Sequence, residues 1–265
     1  MTDDPRKIEK SYTAFKKQYP LIELRSDEQG WVDLGPYTAS IISDHYLPGL
    51  GRVEYVWVEP VNKQTMYLSS RSGGFWRSFD GGATWENTTD DLTSSGVDVF
   101  SVNPNNTNDI LINVRNARNR FTMGVYRSLD GGATWNITAF NPDDTDIGGL
   151  GTDERVFDVK FSPHNTNHIY IAASGYLYRS TDNLATVESV SDNSYASIEF
   201  HQTDPDIIFA PKDYYWNRNE IWSSSDGGDT WNLLHDIDDN NYRTFIVATT
   251  PADSDLVLFS SSTYI

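Results

Sequence analysis

The chain contains no cysteine among its 265 residues. That absence excludes disulfides, thiolate metal sites and a cysteine nucleophile. Basic residues are also scarce. Twenty Lys and Arg stand against 38 Asp and Glu, a formal charge of −18. A surface of that sign does not hold nucleic acid by its phosphates; it favours solubility and is compatible with cation binding. No apolar run is long enough to span a membrane as a helix. Met1-Thr-Asp-Asp-Pro5 lacks the basic start and apolar stretch of a signal peptide. No HExxH pair, phosphate loop or Ser/His/Asp signature is present. Aromatic residues, by contrast, make up 13% of the chain, which suits strand-rich packing.

What is present is a repeat. The pattern Ser-x-Asp-x-Gly-x-Thr-Trp occurs at Ser78, Asp80, Gly82, Thr84 and Trp85, and again at Ser128, Asp130, Gly132, Thr134 and Trp135. A worn copy keeps Ser180, Asp182 and Thr186 but has Val187 for the Trp. The fourth copy is Ser224, Asp226, Gly228, Thr230 and Trp231. The serines are 50, 52 and 44 residues apart, a spacing that indicates a propeller-like array. Each copy lies between two short extended segments, so it reads as the tight turn of a hairpin. Gly in the turn supplies positive φ, and Ser and Asp side chains bond to the turn's own backbone.

Upstream of each copy lies strand, Pro-containing polar turn, strand, as in Phe157-Asp-Val-Lys-Phe-Ser-Pro163 followed by Ile169-Tyr-Ile-Ala-Ala173. The unit is therefore four antiparallel strands, A to D, which is a propeller blade. The expected fold is all-β: a β-propeller with the repeated turns at C–D, and part of a larger propeller. Residues 1–29 form a helical lead-in, with Ile8, Tyr12, Phe15 and Tyr19 as one apolar stripe. Residues 30–265 form the propeller, with four complete blades over about 52–243 and a fifth begun at 245. Residues 30–36 are a candidate closing strand.

The blade topology puts A–B and C–D turns on one face and B–C and D–A connections on the other. The repeated turns are structural on this reading, and ligands belong to the opposite face, where loop length varies. Two loops there stand out. The B–C connection of blade two carries Arg115, Arg118 and Arg120, which could clamp a carboxylate or form a solvated or salt-bridged loop. That of blade four carries Tyr214, Tyr215, Trp216 and Arg218, a platform for a sugar or a cover over a blade junction. Asp143, Asp144 and Asp146 in the D–A loop after blade two are candidates for Ca²⁺ without the full EF-hand spacing; no other cofactor is expected. His164 and His168 share a turn on the repeat face and read as exposed polar filler.

The repeated pattern resembles the Asp-box, or BNR repeat, of sialidase-like and sortilin-like propellers. Gly51-Arg-Val-Glu-Tyr-Val-Trp-Val-Glu-Pro60 and Ser69-Ser-Arg-Ser-Gly-Gly-Phe-Trp-Arg-Ser78 are similar to a branch with sortilin/VPS10-like propellers, xyloglucanase-like hydrolases, photosystem II assembly factors and secreted Bacteroidetes proteins. The resemblance implies a non-catalytic, extracellular or cell-surface bacterial propeller binding a glycan or protein opposite the Asp-boxes. It leaves two alternatives: a glycoside hydrolase with part of its site outside this chain, and an assembly factor docking a protein. The Arg-Ile-Pro motif of sialidases is absent, and no nucleophilic Tyr with a Glu partner can be assigned.

Overall fold

The computed structural model describes residues 14, 17, 52–92, 94–116, 121–142, 154–212, 219–237 and 242–263. Of the expected lead-in helix only Ala14 and Lys17 are described, and both are helical. The candidate closing strand 30–36 lies outside the described residues.

Four antiparallel sheets of four strands follow one another along the chain. Blade one is β1 (Tyr55–Val58), β2 (Met66–Ser70), β3 (Gly74–Ser78) and β4 (Glu86–Asn87). Blade two is β5 (Gly96–Asn103), β6 (Asn106–Arg115), β7 (Thr122–Ser128) and β8 (Asn136–Ile137). Blade three is β9 (Val156–Phe161), β10 (Ile169–Ala173), β11 (Tyr176–Ser180) and β12 (Glu188–Ser191). Blade four is β13 (Glu199–Phe200), β14 (Ile208–Pro211), β15 (Asn219–Ser224) and β16 (Asn232–Ile237). A fifth sheet has two described strands, β17 (Tyr242–Thr250) and β18 (Asp253–Thr263). It begins three residues before the expected Phe245, because Tyr242 already pairs with Thr263.

The core lies in the seams between sheets, which explains why inner strands read as continuous apolar runs. Successive side chains of a strand point to opposite faces, and both faces here are covered. In β6, Ile110, Ile112 and Val114 pack into the seam with blade one, while Leu111 packs towards blade three. In β10, Ile169, Ile171 and Ala173 face blade two, and Tyr170 and Ala172 face blade four.

The Asp-boxes are the C–D turns, and all four share one hydrogen-bond scheme. In the second box the Ser128 hydroxyl accepts from Gly132 N at 2.8 Å and donates to Asp130 Oδ1 at 2.7 Å. Asp130 accepts from Thr134 N at 2.9 Å and Thr134 Oγ1 at 2.6 Å. These donors hold the carboxylates of Asp80, Asp130 and Asp226 down at about 2, the threonine hydroxyl contributing most. The worn copy keeps the scheme. Asn183 and Leu184 adopt φ of 62° and 64° where the other boxes have glycine, and Leu184 N still reaches Ser180 Oγ at 2.8 Å.

One residue of each box ties it to its own blade, and in the second, third and fourth boxes the same residue also ties it to the preceding blade. Its N–H donates to the A–B turn or the start of strand B of its own blade: Gly81 to Gln64, Gly131 to Asn108, Asn183 to Asn167 and Gly227 to Asp206. Boxes and A–B turns therefore share a face, as the topology requires. The carbonyl of the same residue accepts from an arginine of the preceding blade: Gly131 from Arg77 at 3.3 Å, Asn183 from Arg127 at 3.1 Å and Gly227 from Arg179 at 2.9 Å. Each arginine stands immediately before the box serine of its own blade. In blade four that place is taken by Ser223. His164 adds a further tie, its Nε2 lying 2.7 Å from the His201 carbonyl of blade four. It is an inter-blade contact, which corrects the expectation of polar filler; its turn brings it against the next blade.

Candidate functional site

The other face opens into a cavity of about 510 Å³ lined from all five sheets. Arg52, Glu54 and Tyr55 come from the start of strand A in blade one, and Arg71 from just beyond its strand B. Blade two contributes Asp98 and Arg115, blade three Arg155 and Phe157, and blades four and five Ala196 and Ile246. Apart from Ile246, which lies midway along β17, these positions lie near the start of an A strand or the end of a B strand. The cavity is thus the mouth of the axial channel, opposite the Asp-boxes.

Four arginines against two acids line the mouth of a chain that is otherwise strongly acidic. Glu54, whose side chain is buried, brings Oε1 to 2.8 Å from Arg52 Nε and 2.9 Å from Arg71 Nε. Neither contact is aligned as a hydrogen bond, so Arg71 Nε has an ion-pair partner but no acceptor. Arg115 is buried, with Nη1 3.3 Å from Asp98 Oδ2. Asp98 also accepts from Asn113 Nδ2 at 2.9 Å. Burial pushes the Asp98 carboxyl up, with Asn113 and Arg115 opposing.

Below the mouth the axis is ionic. Asp158 is buried and accepts from Ile198 N at 2.9 Å. Lys160 Nζ lies 2.9 Å from Glu199 Oε2 and 3.8 Å from Asp158. Burial raises Asp158. It works against the ammonium of Lys160, but Asp158 and Glu199 outweigh it and hold the lysine charged. Tyr55 is raised by burial and then by Asp158, so it stays a neutral phenol at neutral pH.

Of the residues singled out in the sequence, Arg115 is at this site. It ends β6 with its side chain buried against Asp98, so it is salt-bridged, as one of the expectations had it, but in a strand rather than in a loop. The reason is the period of the strand: Asn113 and Arg115 share a side, and both meet Asp98. Arg118, Arg120, Tyr214, Tyr215, Trp216, Arg218, Asp143, Asp144 and Asp146 lie outside the described residues. Among the described residues no cluster of three or more metal-ligating side chains occurs, and no described helix is long and apolar enough to cross a membrane. Sequence reasoning missed Arg52, Arg71 and Arg155. The signal was there, because Arg52-Val53 and Arg155-Val156 occupy the same place at the start of strand A.

Four-stranded antiparallel sheets in series, with repeated C–D turns on one face and a cavity on the other, define a sortilin-like β-propeller. The sequence profile of Sortilin-Vps10 (sortilin, neurotensin receptor 3) matches residues 123–263, just over half of the chain. The chain belongs to that family. No curated protein matches the sequence significantly. Solved structures with the same fold include an ancestral GH74 enzyme, with a TM-score of 0.63 and 18% identity over 80% of this chain and 28% of that one. The GH74 xyloglucanase of Xanthomonas campestris aligns with a TM-score of 0.58 and 18% identity, over 76% of this chain and 33% of that one. YCF48 from Cyanidioschyzon merolae aligns at 0.52 and 14% identity, over 79% and 69%. The chain thus spans about a third or less of the two GH74 structures. At these identities the likeness is one of fold.

Proposed function

We propose that this chain is a non-catalytic binding propeller, acting outside the cell or on its surface, whose glycan or protein ligand sits in the axial mouth opposite the Asp-boxes. The observation that carries this reading is the mouth itself: a concavity built from all five sheets, within the size range of ligand pockets. The family's description as a receptor agrees with it. The state of the acids supports binding over hydrolysis. A glycosidase needs two carboxyls free to flank a scissile bond, whereas Glu54 and Asp98 are each held by arginine. The test is a panel of polysaccharides and sialylated glycans with the folded protein. Retention without sugar release is expected; release would overturn the reading.

The second reading is a glycoside hydrolase, with part of the site outside this chain. Asp98 favours it, because burial raises its carboxyl in the direction a general acid requires. On that reading Asp98→Asn abolishes release from the panel, while a binding propeller shows no release to abolish.

A further inference from the structure

We infer that the ligand of the axial mouth is an acidic glycan, held through carboxylates or sulfates by Arg52, Arg71 and Arg155. This inference rests on the binding reading above and names the ligand class for the same site.

The argument is the balance of hydrogen-bond donors and acceptors. A guanidinium carries five N–H donors and no acceptor. Among the described residues Arg52 and Arg71 each pair with Glu54, both bringing Nε to the same Oε1, and neither contact is aligned as a hydrogen bond. Arg155 has no ion pair among the described residues; it stands at the mouth with only its backbone engaged, through Ser174. Three guanidinium groups from two blades thus present unused donors. Charge points the same way. Four guanidinium groups line the mouth against two carboxylates, Glu54 Oε1 lying between Arg52 and Arg71 and Asp98 taking Asn113 and Arg115. The mouth therefore complements an anionic ligand that brings acceptor oxygens.

A polyanionic sugar chain answers that charge, because each carboxylate or sulfate offers several acceptor oxygens in the planar or trigonal geometry that arginine forks engage, and its ring hydroxyls can accept as well as donate. Tyr55 and Phe157 on the lining give apolar ring surface for the faces of sugar rings. Glu54 acts as a positioning residue. It draws Arg52 and Arg71 to one point by charge while leaving their donors for the ligand.

The test uses the full chain and fluorescently labelled short oligogalacturonate, with its fully methyl-esterified form, a sulfated oligosaccharide, a neutral xyloglucan oligosaccharide and a Glu-rich peptide in parallel. Binding of the free acid is expected, weakening steeply as salt rises, with the ester weaker by about tenfold. Binding of the sulfated probe alone would assign the anion to sulfate rather than carboxylate and uphold the class. Arg71→Gln and Arg155→Gln should each weaken binding about fivefold. Lys63→Gln, an exposed change on the A–B turn of the opposite face, should leave it unchanged. Equal binding of the neutral oligosaccharide would overturn the acidic class while leaving the binding site standing. Preference for the peptide would do the same and point to a protein partner. Retention of none of the probes would overturn this inference, and with the wider panel also negative the glycan half of the binding reading falls too. Circular dichroism of each variant separates lost binding from lost folding.

Discussion

Replacing Gly131 and Gly132 separately by alanine tests whether an Asp-box is an inter-blade plug or only a turn. Both residues have positive φ, 70° and 81°. Placing an L side chain there costs about 1–2 kcal/mol, of which about 0.4–1 kcal/mol is offset by stiffening the unfolded chain. Gly131→Ala should stop there, at about 1 kcal/mol, since its new methyl meets only the side-chain tips of Asn108 at 3.2 Å and Tyr67 at 3.4 Å. Gly132→Ala should cost more. Its methyl would lie 2.9 Å from Phe75 Cε1, a fully buried ring of the preceding blade that also packs edge-on against Trp135 at 5.1 Å. Overpacking of that kind adds about 1–3 kcal/mol. Urea unfolding followed by tryptophan fluorescence reads the difference from the midpoints. Phe75→Leu in the Gly132→Ala background should recover part of the loss, a non-additivity that identifies the contact. Equal losses for the two glycines, or no recovery, would refute the plug.

Further expectations concern charge. The three boxes held at about 2 contribute stability that is present above the ordinary aspartate value of 3.8 and is lost as pH falls towards 2. Carboxyl NMR titration should place Asp80 near 2 and move it up in Thr84→Val; an Asp80 already near 4 would show that the hydroxyl does not hold it. Arg127→Met should destabilise by about 3 kcal/mol, because it strands Asp109, a buried carboxylate bonded to Nε and Nη2 at 2.7 Å each. Arg77→Met should cost about 1 kcal/mol, since its partner Glu86 is exposed. Equal losses in thermal unfolding would place the energy in the shared carbonyl contact rather than in the acid.

The sequence by itself determined the blade. Its evidence was local: Ser, Asp and Thr at fixed offsets bond within one turn, and glycine or a tolerated Asn183-Leu184 supplies positive φ, so the box can be read from eight consecutive residues. Strand, turn and strand upstream are equally local, and so is the consequence that A–B and C–D turns share a face. The tertiary structure alone decided how blades meet and where charge gathers. Arg77, Arg127 and Arg179 read as ordinary strand residues, yet each reaches a carbonyl about 50 residues further along the chain. Arg115 read as part of a loop trio, but the register of β6 against β5 turns it to Asp98. Arg52, Arg71 and Arg155 are up to about 100 residues apart and line one cavity only because the start of strand A and the end of strand B in blade one lie beside the start of strand A in blade three. A repeat fixes the unit through short-range bonds, whereas the site depends on the rotation between units, which no eight-residue pattern encodes.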